Sequence, residues 1–356
     1  MDRILLGHGS GGRLMHELIA EYFGPAFRME GFGDAAVVKS SALLARRFEL
    51  DGEIREISER GTPNPELFRL AFTTDSYVVS PLFFPGGNIG ELAVYGTVND
   101  LAVSGALPLF LTAGFIIEEG FSFGQLKTIV SSMSAAAERA GVKIIAGDTK
   151  VVNKGKGDGI FINTSGIGIL YEGVEIAASN IEKGDKVLIS GEMGNHGMAV
   201  MSERNGISFD PPIVSDTAPL NGLVRAMLDV TREIRFMRDP TRGGLATTLK
   251  EAALESGKCM KVREDAIPVA PQVRGACDLL GLDPLYVANE GALVAIVAPR
   301  AAEDLLEAMK KHPAGSKAGV IGEVAESPEG MVLLETSIGG TRIIDMLQGE
   351  QLPRIC

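Results

Sequence analysis

Four aspartates stand where the chain is otherwise apolar or glycine-rich. Asp34 sits in Gly31-Phe32-Gly33-Asp34, ahead of the apolar Ala35–Val38. Asp75 interrupts the strand-like run Leu70–Val79, Asp100 falls late in a helical pattern that starts near Asn88, and Asp148 ends the run Val142–Gly147. Aspartate commonly supplies turns and caps, which accounts for any one of them. Asp75 and Asp100 lie inside elements, so the set points to strands and a helix that deliver acids to one site. Asn99, Thr149 and Lys150 lie beside two of these acids. Mg²⁺ takes carboxylate and phosphate oxygens, and a metal-bridged nucleotide phosphate needs several acids with a lysine to share the charge. No Walker A run occurs, so a nucleotide site here is not a P-loop. Spacing does not distinguish ATP from a bare metal ion.

At 356 residues two domains are the natural expectation. The net charge of -12 argues against a nucleic-acid surface. Local amides or a metal would still let such a chain hold ATP. Cys259, Cys277 and Cys356 are odd in number and form no CxxC, which implies a reducing compartment and a cytoplasmic protein. The first residues do not form a signal peptide, and no apolar run approaches the ~18 residues of a membrane span.

Gly7, Gly9 and Gly12 formally satisfy GxGxxG, with Leu14, Leu18 and Tyr22 on one face of a following helix. The first strand is too short and the acid, Asp34, sits among glycines, so a dinucleotide fold is disfavoured. The segment is read as a flexible glycine-rich stretch, or as one that closes over a phosphate site elsewhere. Residues 45–69 are polar and read as a hairpin or surface excursion. Asn88 with Glu91 has capping-box spacing and opens a helix to Ser104. Asn99 and Asp100 are poor helix-interior residues and need a reason to be there. Strand 108–118, helix 122–141, strand 142–146 running into a Gly147-Asp148-Thr149-Lys150 turn, and strand 160–171 make the first half mixed α+β.

The chain changes unit around 172–184, which predicts domains over 1–172 and 173–344 and a tail over 345–356. Strand 186–190, a helix from Asn195 to about Asn205 and a helix over 216–229 come next. Arg238-Asp239-Pro240-Thr241-Arg242-Gly243-Gly244 then leads a helix ending at Gly257, and Arg, Thr and two glycines at a helix start make a good anion site. A strand near 266–269 and a helix over 270–280 follow. The run Tyr286–Val297 reads as an apolar strand interrupted by Asn289-Glu290-Gly291, where an unpartnered Glu290 would be costly. A helix over 301–311 and strands over 318–324 and 331–335 complete the second unit. His8, His16, His196 and His312 show no metal-ligand spacing, and none is assigned to chemistry. The chain ends Pro353-Arg354-Ile355-Cys356. A terminal thiol is either incidental on a frayed end or a mobile nucleophile. Twelve residues from Asp345 reach at most ~40 Å, enough to cross a domain face.

Gly33-Asp34-Ala35-Ala36, Thr74-Asp75-Ser76-Tyr77-Val78, Pro85-Gly86-Gly87-Asn88-Ile89-Gly90, Val98-Asn99-Asp100-Leu101-Ala102, Gly147-Asp148-Thr149-Lys150 and Asp239-Pro240-Thr241-Arg242-Gly243-Gly244 resemble the PurM-like aminoimidazole ribonucleotide synthetase superfamily. With Phe83-Phe84-Pro85-Gly86-Gly87, Ala288-Asn289-Glu290-Gly291 and the terminal Pro353-Arg354-Ile355-Cys356, the chain resembles the carbamoyl dehydratases of hydrogenase maturation. The resemblance covers essentially the whole chain except 45–69. It implies an N-terminal α/β domain that dimerises through its sheet into a homodimer, a C-terminal α+β domain, and an ATP site in the cleft between them.

By the same resemblance Asp34, Asp75, Asn99, Asp100 and Asp148 hold Mg²⁺ and the triphosphate, the four aspartates being the metal ligands. Thr149 and Lys150 lie by the γ-phosphate, and Gly243 and Gly244 face the reacting end. The implied reaction is ATP-dependent dehydration of an S-carbamoyl group on Cys356 to a thiocyanate. Lys150 is expected to stabilise charge and Glu290 to act as base, both near the thiol. The implied partners are a carbamoyltransferase as donor and an iron-carrying hydrogenase-maturation scaffold complex as acceptor, with no nucleic acid and no membrane. Two rivals stand beside this: another ATP-using enzyme of the superfamily acting on a small molecule, with Cys356 dispensable, and a non-catalytic binding protein on the same fold.

Overall fold

A computed structural model describes residues 13–18, 36–39, 69–347, 349, 352 and 354–356. Gly7, Gly9, Gly12, Asp34 and Pro353 lie outside the described residues, as does the stretch 45–69 except its last residue, Arg69. The strands are β1 Ala36–Lys39, β2 Arg69–Tyr77, β3 Phe83–Phe84, β4 Gly87–Asn88, β5 Ala106–Glu118, β6 Lys143–Val152, β7 Ile160–Leu170, β8 Lys186–Ile189, β9 Ile234–Arg238, β10 Cys259–Arg263, β11 Val294–Val297, β12 Gly319–Ala325, β13 Val332–Glu335 and β14 Thr341–Ile344. The helices are α1 Arg13–Leu18, α2 Ile89–Val103, α3 Phe123–Ala140, α4 Asn195–Asn205, α5 Asn221–Val230, α6 Gly244–Ser256, α7 Pro271–Leu280 and α8 Ala302–Lys311.

The first sheet has the order β1-β2-β7-β5-β6, antiparallel except for β5 and β6. One face packs on α2, and the other is open among the described residues. β7 shows the reason: Ile160, Ile162, Thr164, Gly166 and Gly168 are buried, with more exposed residues alternating between them. α2 is apolar almost all round and is buried on nearly every side, as such helices must be. It packs on the first sheet, on α3 and, in the second half, on α5 and β9, so it joins the two halves.

The second sheet has the order β14-β13-β10-β12-β8-β11-β9, with only β10 and β13 parallel. Its central strands β8 and β11 are buried on both faces, which explains their unbroken apolar runs. Val187, Ile189, Val294 and Ile296 face the core containing α6. Leu188, Ala295 and Val297 face the core containing α5 and α8. The architecture is two α/β halves, mixed in strand direction, as expected.

Four expectations need correction. The Gly147-Asp148-Thr149-Lys150 segment is no turn: β6 continues through it because each residue pairs in register with β5, Gly114 opposite Asp148 and Ile116 opposite Lys150. The helix expected over 216–229 begins only at Asn221, because Ser215, Asp216 and Thr217 are engaged as acceptors and donors described below. The strand expected near 266–269 lies earlier, at β10, with a 3₁₀ turn over Glu264–Ala266. The run 286–297 is a strand only over β11. Its Asn289-Glu290-Gly291 portion is a loop facing the cleft.

A candidate active site in the cleft between the two sheets

Alternation along β2 places Thr73, Asp75 and Tyr77 on the face covered by α2. α2 meets them with Thr97 and Asp100, one turn apart. Thr97 Oγ1 donates to Asp75 Oδ2 (3.1 Å), and Thr73 Oγ1 donates to Asp100 Oδ2 (2.7 Å). Thr97 is itself braced by Thr164 (2.6 Å). Asp75 and Asp100 thus share one polar patch. Beside them Tyr77 is held well above the usual phenol range, chiefly by burial and then by the charge of Asp75.

Asn99, between them on α2, is completely buried. Its Nδ2 donates to the backbone oxygens of Ala218 (3.1 Å) and Glu290 (3.3 Å), and its Oδ1 accepts from Leu220 N (2.8 Å). Both amide hydrogens are therefore used in tying the first half to two loops of the second. That is the reason an asparagine stands inside this helix. It also leaves Asn99 no donor for a nucleotide.

The Glu290 loop is shaped by Asp216, whose carboxylate accepts from Glu290 N (3.2 Å) and Gly291 N (3.0 Å). A Cβ on Gly291 would overlap the Asp216 carbonyl, so only glycine fits there. Burial pushes the Asp216 carboxyl up to about 6. Glu290 is 2% exposed, and its Oε1 has no hydrogen-bond partner. Its carboxyl lies well above the usual range, first through burial, then through Asp239, Asp216 and Asp75, with Arg242 opposing. Arg242 precedes Gly243 and Gly244, which start α6 with positive φ (79° and 61°). A Cβ on Gly244 would press to 2.6 Å from the Leu285 carbonyl.

The tail enters this cleft and is not a frayed end. Ser80 N donates to Arg354 O (3.1 Å) and Val78 N to Cys356 O (3.3 Å). Arg204 Nη2 donates to Arg354 O (2.8 Å), and His196 Nε2 lies 2.9 Å from Ile355 O. Ile355 is 3% exposed in the core that contains Tyr77, Ile89 and Val98. The Cys356 thiol is hydrogen-bonded to the Glu290 carboxyl. Burial, opposed by Arg242, pushes it up to about 12. Arg354 does not turn toward the thiol. It pairs with Asp158 and donates to Val78 O (3.0 Å). Docked, the thiol is protonated and aimed at an acid. Cys259 and Cys277 are buried, with thiols raised by burial.

Asp75, Asp100, Glu290, Gly243, Gly244 and Cys356 therefore come together. Asp148 and Lys150 do not. Register places them on the open face of the first sheet with Gly114 and Ile116, opposite to the face carrying Asp75. They pair with each other (3.3 Å), with side chains 71% and 72% exposed. Thr149 lies opposite Phe115, on the α2 side of the edge strand. Among the described residues no group of three His, Cys, Asp or Glu forms a metal cluster, and no helix is long and apolar enough to cross a membrane. Sequence reading missed His196, Arg204 and Asp216, while Arg242 stood in the anion-binding arrangement it proposed. Ser215-Asp216-Thr217, three cap-type residues in a row, was a signal against helix there. Nothing local marked His196 or Arg204 as partners of a tail some 150 residues away.

The fold and site define a class. Residues 62–170 match the family model described as AIR synthase related protein, N-terminal domain, and residues 182–335 match its C-terminal domain. Within that class the chain belongs to the HypE carbamoyl dehydratase family. It is 53% identical over 352 residues to carbamoyl dehydratase HypE of Bradyrhizobium diazoefficiens, covering 99% of this chain and 95% of that protein. A HypE–HypF complex crystal structure superposes with a TM-score of 0.81 at 49% identity, covering 93% of this chain and 99% of that one. A HypE structure in complex with ATP gives 0.78 at 43% identity, covering 99% and 100%.

Proposed function

We propose that this chain is an ATP-dependent carbamoyl dehydratase acting on its own terminus. Cys356 carries the carbamoyl group as Cys–S–C(O)NH₂, and the site removes water to leave Cys–S–C≡N, the source of cyanide ligands for a [NiFe]-hydrogenase iron centre. The observation that carries this reading is the docked tail, which puts the Cys356 sulfur against Glu290 in a cleft lined by Asp75 and Arg242.

Oxide is a poor leaving group, so the carbonyl oxygen must first be phosphorylated. It attacks the γ-phosphorus of ATP, and ADP leaves. The C–O bond then breaks with phosphate as leaving group while nitrogen gives up its two protons. Loss of charge from the carbon makes those N–H groups acidic. Glu290 is the side chain within reach to take one of them, and its raised proton affinity suits the task; the departing phosphate carries off the other. The cleft's burial keeps water from the activated carbon. The solved ATP complex of a relative supports ATP as co-substrate.

Mg²⁺ would be held by Asp75 and Asp100, since one or two carboxylates plus phosphate oxygens are its usual set, and it would neutralise phosphate charge. Asp148 and Lys150 lie on the open sheet face, away from these two aspartates. Phe110 and Ile116, exposed on that face with Leu107 beside them, support a homodimer there. The HypE–HypF complex supports a protein carbamoyl donor, read here as a carbamoyltransferase. The acceptor is an iron-carrying scaffold complex.

The test is intact mass after incubation with the carbamoyltransferase, carbamoyl phosphate and ATP. Wild type should gain a carbamoyl group on Cys356 and then lose one water. Water loss that persists in Cys356→Ala, or never occurs in wild type, refutes the proposal.

A further inference from the structure

His196, the second residue of α4, is completely buried and lies edge-on to Phe84 (centroids 5.2 Å, 87°). Its Nε2 faces the Ile355 carbonyl oxygen at 2.9 Å, and its Nδ1 faces Ser215 Oγ at 2.8 Å. A carbonyl oxygen only accepts, so Nε2 carries the proton and Nδ1 is the acceptor. Ser215 Oγ then donates to Nδ1. It accepts in turn from Thr217 N (3.1 Å), with Thr217 Oγ1 at 2.6 Å. Thr217 Oγ1 also lies 3.4 Å from Nδ1, so either hydroxyl can serve that acceptor. Burial holds the ring neutral, its pKa down at about 4, which keeps that tautomer in place.

The carbonyl so held belongs to the residue before the terminal cysteine. The neighbouring carbonyls, of Arg354 and Cys356, meet Ser80 N and Val78 N on the other side of the tail. Two turns along α4, Arg204 donates to the Arg354 carbonyl. The Ile355 side chain supplies apolar attachment, which is non-directional. The hydrogen bond from Nε2 is directional. The peptide that joins Ile355 to Cys356 is therefore held in one orientation.

We propose that His196 is a positioning residue for the dehydration step: its Nε2–H fixes the peptide ahead of Cys356 and so sets the aim of the sulfur against Glu290. This rests on the reading of Cys356 as the substrate-carrying residue. His196 touches no reacting atom. It acts through the tail, and Ser215 acts through His196.

Two measurements on the full-length protein test this. One is the rate of Cys356 alkylation by iodoacetamide, followed by peptide mass, which reports undocking without any catalysis. The other is the rate of water loss from the carbamoylated protein. His196→Leu should alkylate about five- to tenfold faster, the value of one net hydrogen bond. It should dehydrate about tenfold slower while accepting the carbamoyl group normally. His196→Gln, whose amide N–H replaces Nε2–H, should stay within about twofold of wild type in both. Ser215→Ala should speed alkylation about threefold in wild type and have no effect in the His196→Leu background.

Wild-type alkylation and dehydration in His196→Leu overturns the proposal, as does an undiminished Ser215→Ala effect in the double variant. Should His196→Leu fail to fold, Ser215→Ala with wild-type alkylation overturns it. If wild type itself never loses water, the role of Cys356 falls and positioning for dehydration falls with it, while alkylation still reports whether the clamp exists.

Discussion

Replacing Asn99 by alanine removes three hydrogen bonds at once: to Ala218 O, to Glu290 O and from Leu220 N. Each is worth roughly 1 kcal/mol net, and leaving a buried partner unpaired costs about 1–3 kcal/mol. Asn99 has no solvent exposure, so the loss should be about 3 kcal/mol, rising toward ~5 kcal/mol if no water replaces the amide. Asn99→Asp should be worse, since a carboxylate oxygen would face the carbonyls that Nδ2 now serves. The assay is urea unfolding, read as a lower midpoint at unchanged slope, beside ATP binding by calorimetry. Stability should fall while ATP affinity changes less than about threefold, and dehydration should slow because the Glu290 backbone is no longer pinned. A loss under about 1 kcal/mol with ATP affinity down tenfold or more would refute the reasoning and return Asn99 to the nucleotide.

Glu290→Gln keeps the shape of the loop but removes the proton acceptor. It should accumulate the carbamoylated form with water loss slowed about 10²- to 10⁴-fold, and unimpaired water loss would remove Glu290 from the mechanism. His196 has its pKa lowered from 6.5 to about 4 in the fold. Its contribution is thus full above 6.5 and is lost as pH falls from 6.5 through 4. At 1.36 kcal/mol per pKa unit, the stability advantage of wild type over His196→Gln should shrink by about 3 kcal/mol between pH 7.5 and 4. A constant difference in urea unfolding across that window would show that the ring is not held neutral.

Much of the architecture was readable. α2 and α3 were legible because their signals are local: Asn88 accepts from Gly90 N (2.8 Å), Ser122 caps Gln125 N, and Gly141 ends α3. α4 and α6 began and ended where their own residues said. The failures share a cause. Residues 216–220 have a helical pattern, yet Asp216 binds the amides of Glu290 and Gly291, seventy-odd residues on. Tyr286–Ala292 has a strand's apolarity, but its backbone is satisfied by Asn99, Asp216 and Pro240 and not by a neighbouring strand. Conversely, Gly147–Lys150 looks like a turn and is a strand because β5 lies alongside. Long-range hydrogen bonds leave no periodic trace.

Sequence alone determined that acids interrupt apolar elements and that no P-loop is present. The resemblance to the carbamoyl dehydratases, and not spacing, put Asp75, Asp100, Glu290 and Cys356 in one candidate site. Which side of the sheet each acid faces was decided only in three dimensions. Strand register sends Asp148 and Lys150 to the open face and Asp75 to the cleft, since one step along a strand reverses a side chain. The state of Cys356 was likewise a tertiary matter. A free terminal thiol ionises near 9, and this one is pushed up to about 12. The cause is the burial that docking brings, together with the acids that distant segments gather around it.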